Sequence, residues 1–125
     1  MRRHLIGVDI GGSKTAILVH EAKTHRKVFT EKVKTPADGG VGAMFQLLDD
    51  WIDKLPGGRS SVRALGVAVP GPVDGEGHVV RAGNLSGWVD VPLRRQLEER
   101  YRVPVFVERD ANCGVSGGPG ASLLS

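Results

Sequence analysis

Leu5-Ile6-Gly7-Val8-Asp9-Ile10-Gly11-Gly12-Ser13-Lys14-Thr15 is the stretch on which the fold turns. Leu5, Ile6, Val8 and Ile10 make a nearly continuous apolar run, the pattern of a strand buried on both faces. Gly11-Gly12 then predicts a tight turn, and Thr15 to His20 reads as a second strand. His25-Arg26 marks another turn before a third strand, Val28 to Thr35, to which Lys27, Lys32 and Lys34 give the character of a charged edge. Short loops pair consecutive strands antiparallel, so a three-stranded meander opens the domain.

Downstream the period changes. After a loop at Pro36 to Gly40, Val41, Met44, Phe45, Leu48, Trp51, Ile52 and Leu55 recur at spacings of three and four, predicting a helix with one apolar stripe. Pro56-Gly57-Gly58 ends it. Trp51 on this stripe reads as core. Val62 to Val69 reads as an interior strand, Val79 to Ala82 as a short extended piece, and Pro92 opens a second helix with Leu93, Leu97 and Tyr101 facing inward. Val105 to Glu108 closes the series, parallel to Val62–Val69 because a helix connects them. The order βββαβαβ predicts a mixed five-stranded sheet with helices on its faces.

The chain has 125 residues, enough for one compact core, with 40% hydrophobic and 25% charged residues. Net charge is +3, and the basic residues do not pile up on one segment; Arg94 and Arg95 are followed by Glu98 and Glu99. Without a basic stripe or a reading motif, no nucleic-acid partner is expected. No stretch approaches a membrane span, and Asp9 interrupts the early apolar run too soon for a signal peptide. Cys113 is the one cysteine, which fits a reducing compartment, so a cytoplasmic protein is expected.

Four stretches are candidates for chemistry. In Asp9 to Thr15, Ser13 intervenes between Gly12 and Lys14, so the Walker spacing fails; a strand rather than a helix follows, so the dinucleotide fingerprint fails too. What remains is a hairpin whose glycines let backbone N–H groups approach a phosphate, with Ser13 and Thr15 as hydroxyl donors and Lys14 as a cation. Asp9 at the strand end suits Mg²⁺, usually through water. An Asp-bearing hairpin turn is the plain alternative. Val69-Pro70-Gly71-Pro72-Val73-Asp74 is a rigid turn that exposes backbone, either to ligand hydroxyls or for structure alone. Asn84-Leu85-Ser86-Gly87-Trp88 offers an amide that can both donate and accept, while Trp88 reads as cover for the core. In Glu108-Arg109-Asp110-Ala111-Asn112, at the carboxyl end of the last strand, Asp110 suits a general base and equally a helix N-cap.

Taken together, Gly7 to Thr15, Gly66 to Asp74, Asn84 to Trp88 and Asp110-Ala111-Asn112 resemble the ROK family (repressor, open reading frame, kinase) of sugar kinases and sugar-responsive regulators. Bacterial glucokinases are the member type most resembled. The resemblance implies the actin-like, ribonuclease-H-like fold, with ATP and Mg²⁺ as cofactors. It implies that Asp9, Gly11, Gly12, Ser13, Lys14 and Thr15 meet the ATP phosphates, with Asp9 at the metal. It further implies that Gly71 and Asn84 line the sugar pocket, that Asp110 is the catalytic base, and that a hexose or N-acetylhexosamine is the substrate.

The chain departs from the family pattern at Arg109 and in its missing second lobe. Arg109 stands where the family commonly has a sugar-binding Asn, and Arg cannot accept a hydrogen bond. Residues 1–112 are expected to be the N-terminal lobe and residues 113–125 a Gly/Ser-rich tail, with the family's second lobe and its zinc motif absent; Cys113 alone cannot supply a zinc site. Only Met1 to His4 precede the first strand, so the winged helix of the family's regulators is not expected. Without the second lobe the chain is expected to turn over poorly, and a homodimer is expected to cover apolar surface. A non-catalytic remnant and a sugar-sensing regulator lobe are the alternatives.

Overall fold

The structure is a computed structural model, and it describes residues 2–36, 39–81 and 88–109. Ala82, Asn84 to Gly87, Asp110 to Asn112, Cys113 and the tail lie outside the described residues. Strands β1 (His4–Ile10), β2 (Lys14–Glu21) and β3 (Lys27–Lys34) form the expected antiparallel meander. Helix α1 (Gly40–Asp53) and a short 3₁₀ turn (Gly58–Ser61) lead to β4 (Val62–Val69). Then come β5 (Val79–Arg81), β6 (Val89–Val91), helix α2 (Leu93–Tyr101) and β7 (Val105–Arg109).

The main sheet has the order β3-β2-β1-β4-β7, with β1, β4 and β7 parallel. The lysine-bearing β3 therefore occupies an edge and β4 an interior position, as their sequences predict. The pleat sorts side chains between faces. Ile6, Val8 and Ile10 of β1 lie level with Leu65 and Val67 of β4 and with Ile17 and Thr15 of β2. This face joins one core cluster with Met44, Leu48, Trp51 and Ile52 of α1 and Leu93, Leu97 and Tyr101 of α2. Among the described residues, both helices thus pack on the same face. Trp51 and Trp88 are each 1% exposed, so both are core as read. The Trp51 indole keeps its polar partner, donating from Nε1 to Glu31 Oε2 at 2.6 Å.

Helix α2 stops where its sequence allows. Arg102 takes a left-handed conformation (φ 59) and donates its N–H to the Glu98 carbonyl, and Pro104 follows. A buried carboxylate links the two helices. Asp49 of α1 accepts hydrogen bonds from Arg100 and from the Tyr101 hydroxyl (2.6 Å), and Arg59 of the 3₁₀ turn lies 2.9 Å away.

Two features go beyond the sequence reading. Strand β6 pairs with β5 as a separate two-stranded sheet. Three residues with an exposed Val89 and a positive φ at Asp90 carry no readable period. His4 begins β1 as a buried side chain, with Nδ1 2.8 Å from Ser61 Oγ. Ser61 Oγ itself donates to the Gly58 carbonyl, so the His4 ring donates to it.

Candidate functional site

Parallel pairing aligns the carboxyl ends of β1, β4 and β7. Asp9 is level with Ala68, and Ala68 with Glu108, so the two carboxylates occupy one row separated by a single strand, roughly 10 Å at ordinary strand spacing. Such a crevice at strand carboxyl ends is where α/β sheets hold ligands. Asp9 is half-buried, and Gly7 and Asp9 border a depression of about 420 Å³ with Ala16, Leu18 and His20 of β2.

The Gly11-Gly12-Ser13 turn follows Asp9 directly and is closed by Gly11 N–H donating to the Lys14 carbonyl at 2.9 Å. Its two glycines have different roles. A side chain at Gly11 would place Cβ 2.8 Å from the Lys14 carbonyl oxygen, so the chain's own backbone requires glycine there. Gly12 is exposed, and a Cβ would meet nothing within 4 Å. The fold leaves that space open to solvent. Ser13 and Lys14 are exposed on the same turn.

Thr15 behaves otherwise. It lies on the core face, fully buried, with Oγ1 2.8 Å from Thr35 Oγ1. Thr35 donates its hydroxyl to the Gly11 carbonyl (2.8 Å) and its N–H to the Ser13 carbonyl (2.9 Å), so Thr15 donates to Thr35. These bonds clamp the turn from the end of β3. Thr15 thus serves the turn's framework rather than its exposed rim. Sequence reasoning missed Thr35, since a lone Thr before Pro36 at the end of an edge strand carries no periodic signal.

Gly71, two residues beyond β4, is buried. Asp74, from the same motif, organises a hairpin turn: its Oδ1 accepts from the N–H groups of Glu76 and His78, each at 2.9 Å. The hydrogen bond from the His78 N–H leads the causes that hold the Asp74 carboxyl below its usual range. At the end of β7, Arg109 is exposed, whereas Glu108 Oε1 is buried and has no hydrogen-bond partner among the described residues. Asn84 and Asp110 lie outside the described residues.

A mixed sheet of this order, with a carboxylate and a glycine turn at the end of its first strand, defines an α/β lobe of the actin-like, ribonuclease-H-like class. The sequence profile of the ROK family matches residues 5–118, and the chain belongs to that family. It is 32% identical over 124 residues to a glucokinase of Halalkalibacterium halodurans, covering 92% of this chain and 36% of the relative. It is 28% identical over 122 residues to the xylose repressor of Caldicellulosiruptor bescii, covering 90% of this chain and 29% of that protein. The crystal structure of a ROK family glucokinase from Streptomyces griseus with glucose and AMPPNP superposes with a TM-score of 0.68 at 34% identity, over 87% of this chain and 34% of the other. The chain spans about a third of the length of these relatives. No described helix is long and apolar enough to cross a membrane.

Proposed function

We propose that residues 1–112 are the sugar-side lobe of an ATP-dependent kinase, and that the complete enzyme moves the ATP γ-phosphate to a hydroxyl of a hexose or N-acetylhexosamine. The observation that carries this reading is the open space at Gly12, on a turn clamped by Thr35 and set beside Asp9. Its exposed rim suits an anionic phosphate, to which the turn's backbone N–H groups donate while Lys14 offsets charge. Asp9 is the residue that would hold Mg²⁺, whose chemistry is to neutralise charge on the phosphates. Among the described residues no group of three or more His, Cys, Asp or Glu could hold a metal ion. A lone carboxylate suits Mg²⁺, which keeps several waters and draws further ligands from substrate phosphates.

Gly71 and Asn84 bind the sugar in this reading, and Asp110 takes the proton from the attacking hydroxyl. The hydroxyl oxygen bonds to the γ-phosphorus, the bond to the bridging oxygen breaks, and ADP departs. Proton acceptance of this kind contributes roughly 10²–10⁴-fold, and positioning with charge neutralisation supplies most of the rest. Residues 113–125 form a Gly/Ser-rich tail in this proposal, and activity is assigned to the complete protein.

A second reading, a sugar-binding lobe without turnover, is favoured by Arg109 and by the likeness to a xylose repressor. Calorimetry of the chain with glucose and N-acetylglucosamine, run beside a coupled ATP-turnover assay, separates the two. Hexose binding that survives Asp110→Asn, with turnover lost in that variant, supports the kinase. Hexose binding with no turnover from the complete protein supports the second reading. Absence of binding to any hexose rejects both.

A further inference from the structure

The sheet brings together charges that the sequence spreads out. His4 pairs with Glu21 and with Val62, so the start of β1, the β2–β3 turn and the start of β4 share the end of the sheet opposite the candidate site. Three hydrogen bonds join the connections there: Arg3 N–H to the Ser61 carbonyl, Ala22 N–H to the Arg3 carbonyl, and Arg2 Nη1 to the Arg102 carbonyl. The described connecting segments at this end are residues 2–3, 22–26, 54–61 and 102–104. They carry Arg2, Arg3, Lys23, Arg26, Lys54, Arg59 and Arg102, with no Asp or Glu. At the site end, residues 11–13, 35–36 and 70–78 carry Asp74 and Glu76 and no Lys or Arg.

The charges at the basic end are mostly uncompensated. Arg59 is paired with Asp49, as is Arg100 of α2. Arg2, Arg3, Lys23, Arg26, Lys54 and Arg102 make no ion pair among the described residues, and neither does the exposed Arg63 near the start of β4. The nearby carboxylates are Glu21, which accepts from the Thr24 hydroxyl, Asp50 and Asp53 of α1, and Glu98 and Glu99 of α2, which share a surface pocket with Arg102, Glu99 being paired with Arg95. Arg2 Nη1 donates to the Arg102 backbone carbonyl, so the Arg2 guanidinium is held at the start of the 102–104 connection.

We propose that this end of the lobe is a docking surface for the phosphate backbone of a nucleic acid. The guanidinium fork matches phosphate oxygens bidentately, and five of the seven unpaired cations are Arg. A bilayer is less well served: Leu55 and Val103 in these connections are each 5% exposed, and Val28 beside the 22–26 turn, 41% exposed, is a single small apolar side chain to insert. Contact is to phosphates, without base readout, and spares the sugar and ATP site at the other end.

The test is fluorescence anisotropy of a labelled mixed-sequence DNA duplex of about 20 base pairs, titrated with the chain at low salt. Binding should fall steeply with salt, with a slope of roughly −0.9 in log K against log salt for each phosphate neutralised. Arg3→Glu with Arg102→Glu should weaken it at least about tenfold, while Lys32→Glu with Arg95→Glu, an equal change in net charge elsewhere, should alter it less than about threefold. Should the first pair unfold the chain, Lys23→Glu with Arg63→Glu provides the same reading. No duplex binding at low salt, equal losses in both double variants, or binding only to phosphatidylserine vesicles would each overturn the proposal.

Discussion

Thr35 Oγ1 donates to the Gly11 carbonyl oxygen at 2.8 Å, tying the end of the edge strand β3 to the turn that leaves β1. Thr15 completes the chain by donating to Thr35. The shape of an exposed glycine turn is thus set by two buried hydroxyls on strands that meet only in the folded sheet.

Thr35→Val keeps the side-chain shape and removes the hydroxyl, so the Gly11 carbonyl and the Thr15 hydroxyl lose their partner. The variant should lose about 1–3 kcal/mol, the usual cost of leaving a buried polar group unsatisfied. Thr35→Ser should recover most of it. Urea unfolding midpoints at pH 7 compare all three proteins.

The two glycines of the turn should separate stability from ligand contact. Gly11→Ala forces Cβ against the Lys14 carbonyl and should cost about 1–3 kcal/mol, as overpacking does. Gly12→Ala should stay within about 0.5 kcal/mol of wild type. It should nevertheless weaken magnesium tripolyphosphate binding if the turn holds phosphate. Thermal melts alongside calorimetric titration give both numbers, and a melting temperature lowered equally in the two variants would contradict the assignment.

Asp49 should be the most sensitive charged position. Burial raises its carboxyl's pKa, but hydrogen bonds from Arg100 and Tyr101, with the charges of Arg100 and Arg59, outweigh it and leave the carboxyl below its ordinary value of 3.8. Asp49→Ala should lose about 2–4 kcal/mol, because breaking a mostly buried pair strands its partners. Tyr101→Phe should lose about 1 kcal/mol. Because the folded value is depressed, the wild-type contribution is complete above pH 3.8 and disappears as pH falls through the folded value. Asp49→Ala should therefore show less acid destabilisation below pH 4 in unfolding curves.

His4 should act in a higher window. Burial, helped by the charge of Arg3, lowers its pKa below 6.5 and keeps the ring neutral in the fold. Stability from a neutral buried ring is complete above pH 6.5 and declines as pH drops from there toward the folded value. His4→Gln should flatten urea stability between pH 7 and pH 5 relative to wild type, while the Asp49-dependent loss below pH 4 remains.

Much of the architecture was legible because each element carries its own period. The alternation of β2, the stripe from Val41 to Leu55 and the short apolar run of Val105 to Val107 are local signals, and the structure contains all three elements. Strand β6 was not legible, since three residues supported mainly by pairing with β5 have no pattern of their own. The glycine turn was visible as a candidate, yet the distinction between a Gly11 required by the backbone and a Gly12 facing open space depends on where the Lys14 carbonyl lies. Thr15 looked like a ligand donor beside Lys14, because hydroxyl orientation depends on the strand register that turns it toward Thr35.

The sequence by itself determined the order of the five main-sheet strands and two helices, the edge position of β3, the burial of Trp51 and Trp88, and the resemblance to the ROK family. These follow from hydrophobic period, turn chemistry and motif spacing, which act over a few residues at a time. Only the tertiary structure decided that Thr35 clamps the turn, that Asp9 and Glu108 share a row, and that Arg2, Arg3, Arg26 and Arg102 gather at the far end. Such relationships join residues distant in the chain through strand register and parallel crossovers, and no local pattern encodes which distant group will be the neighbour.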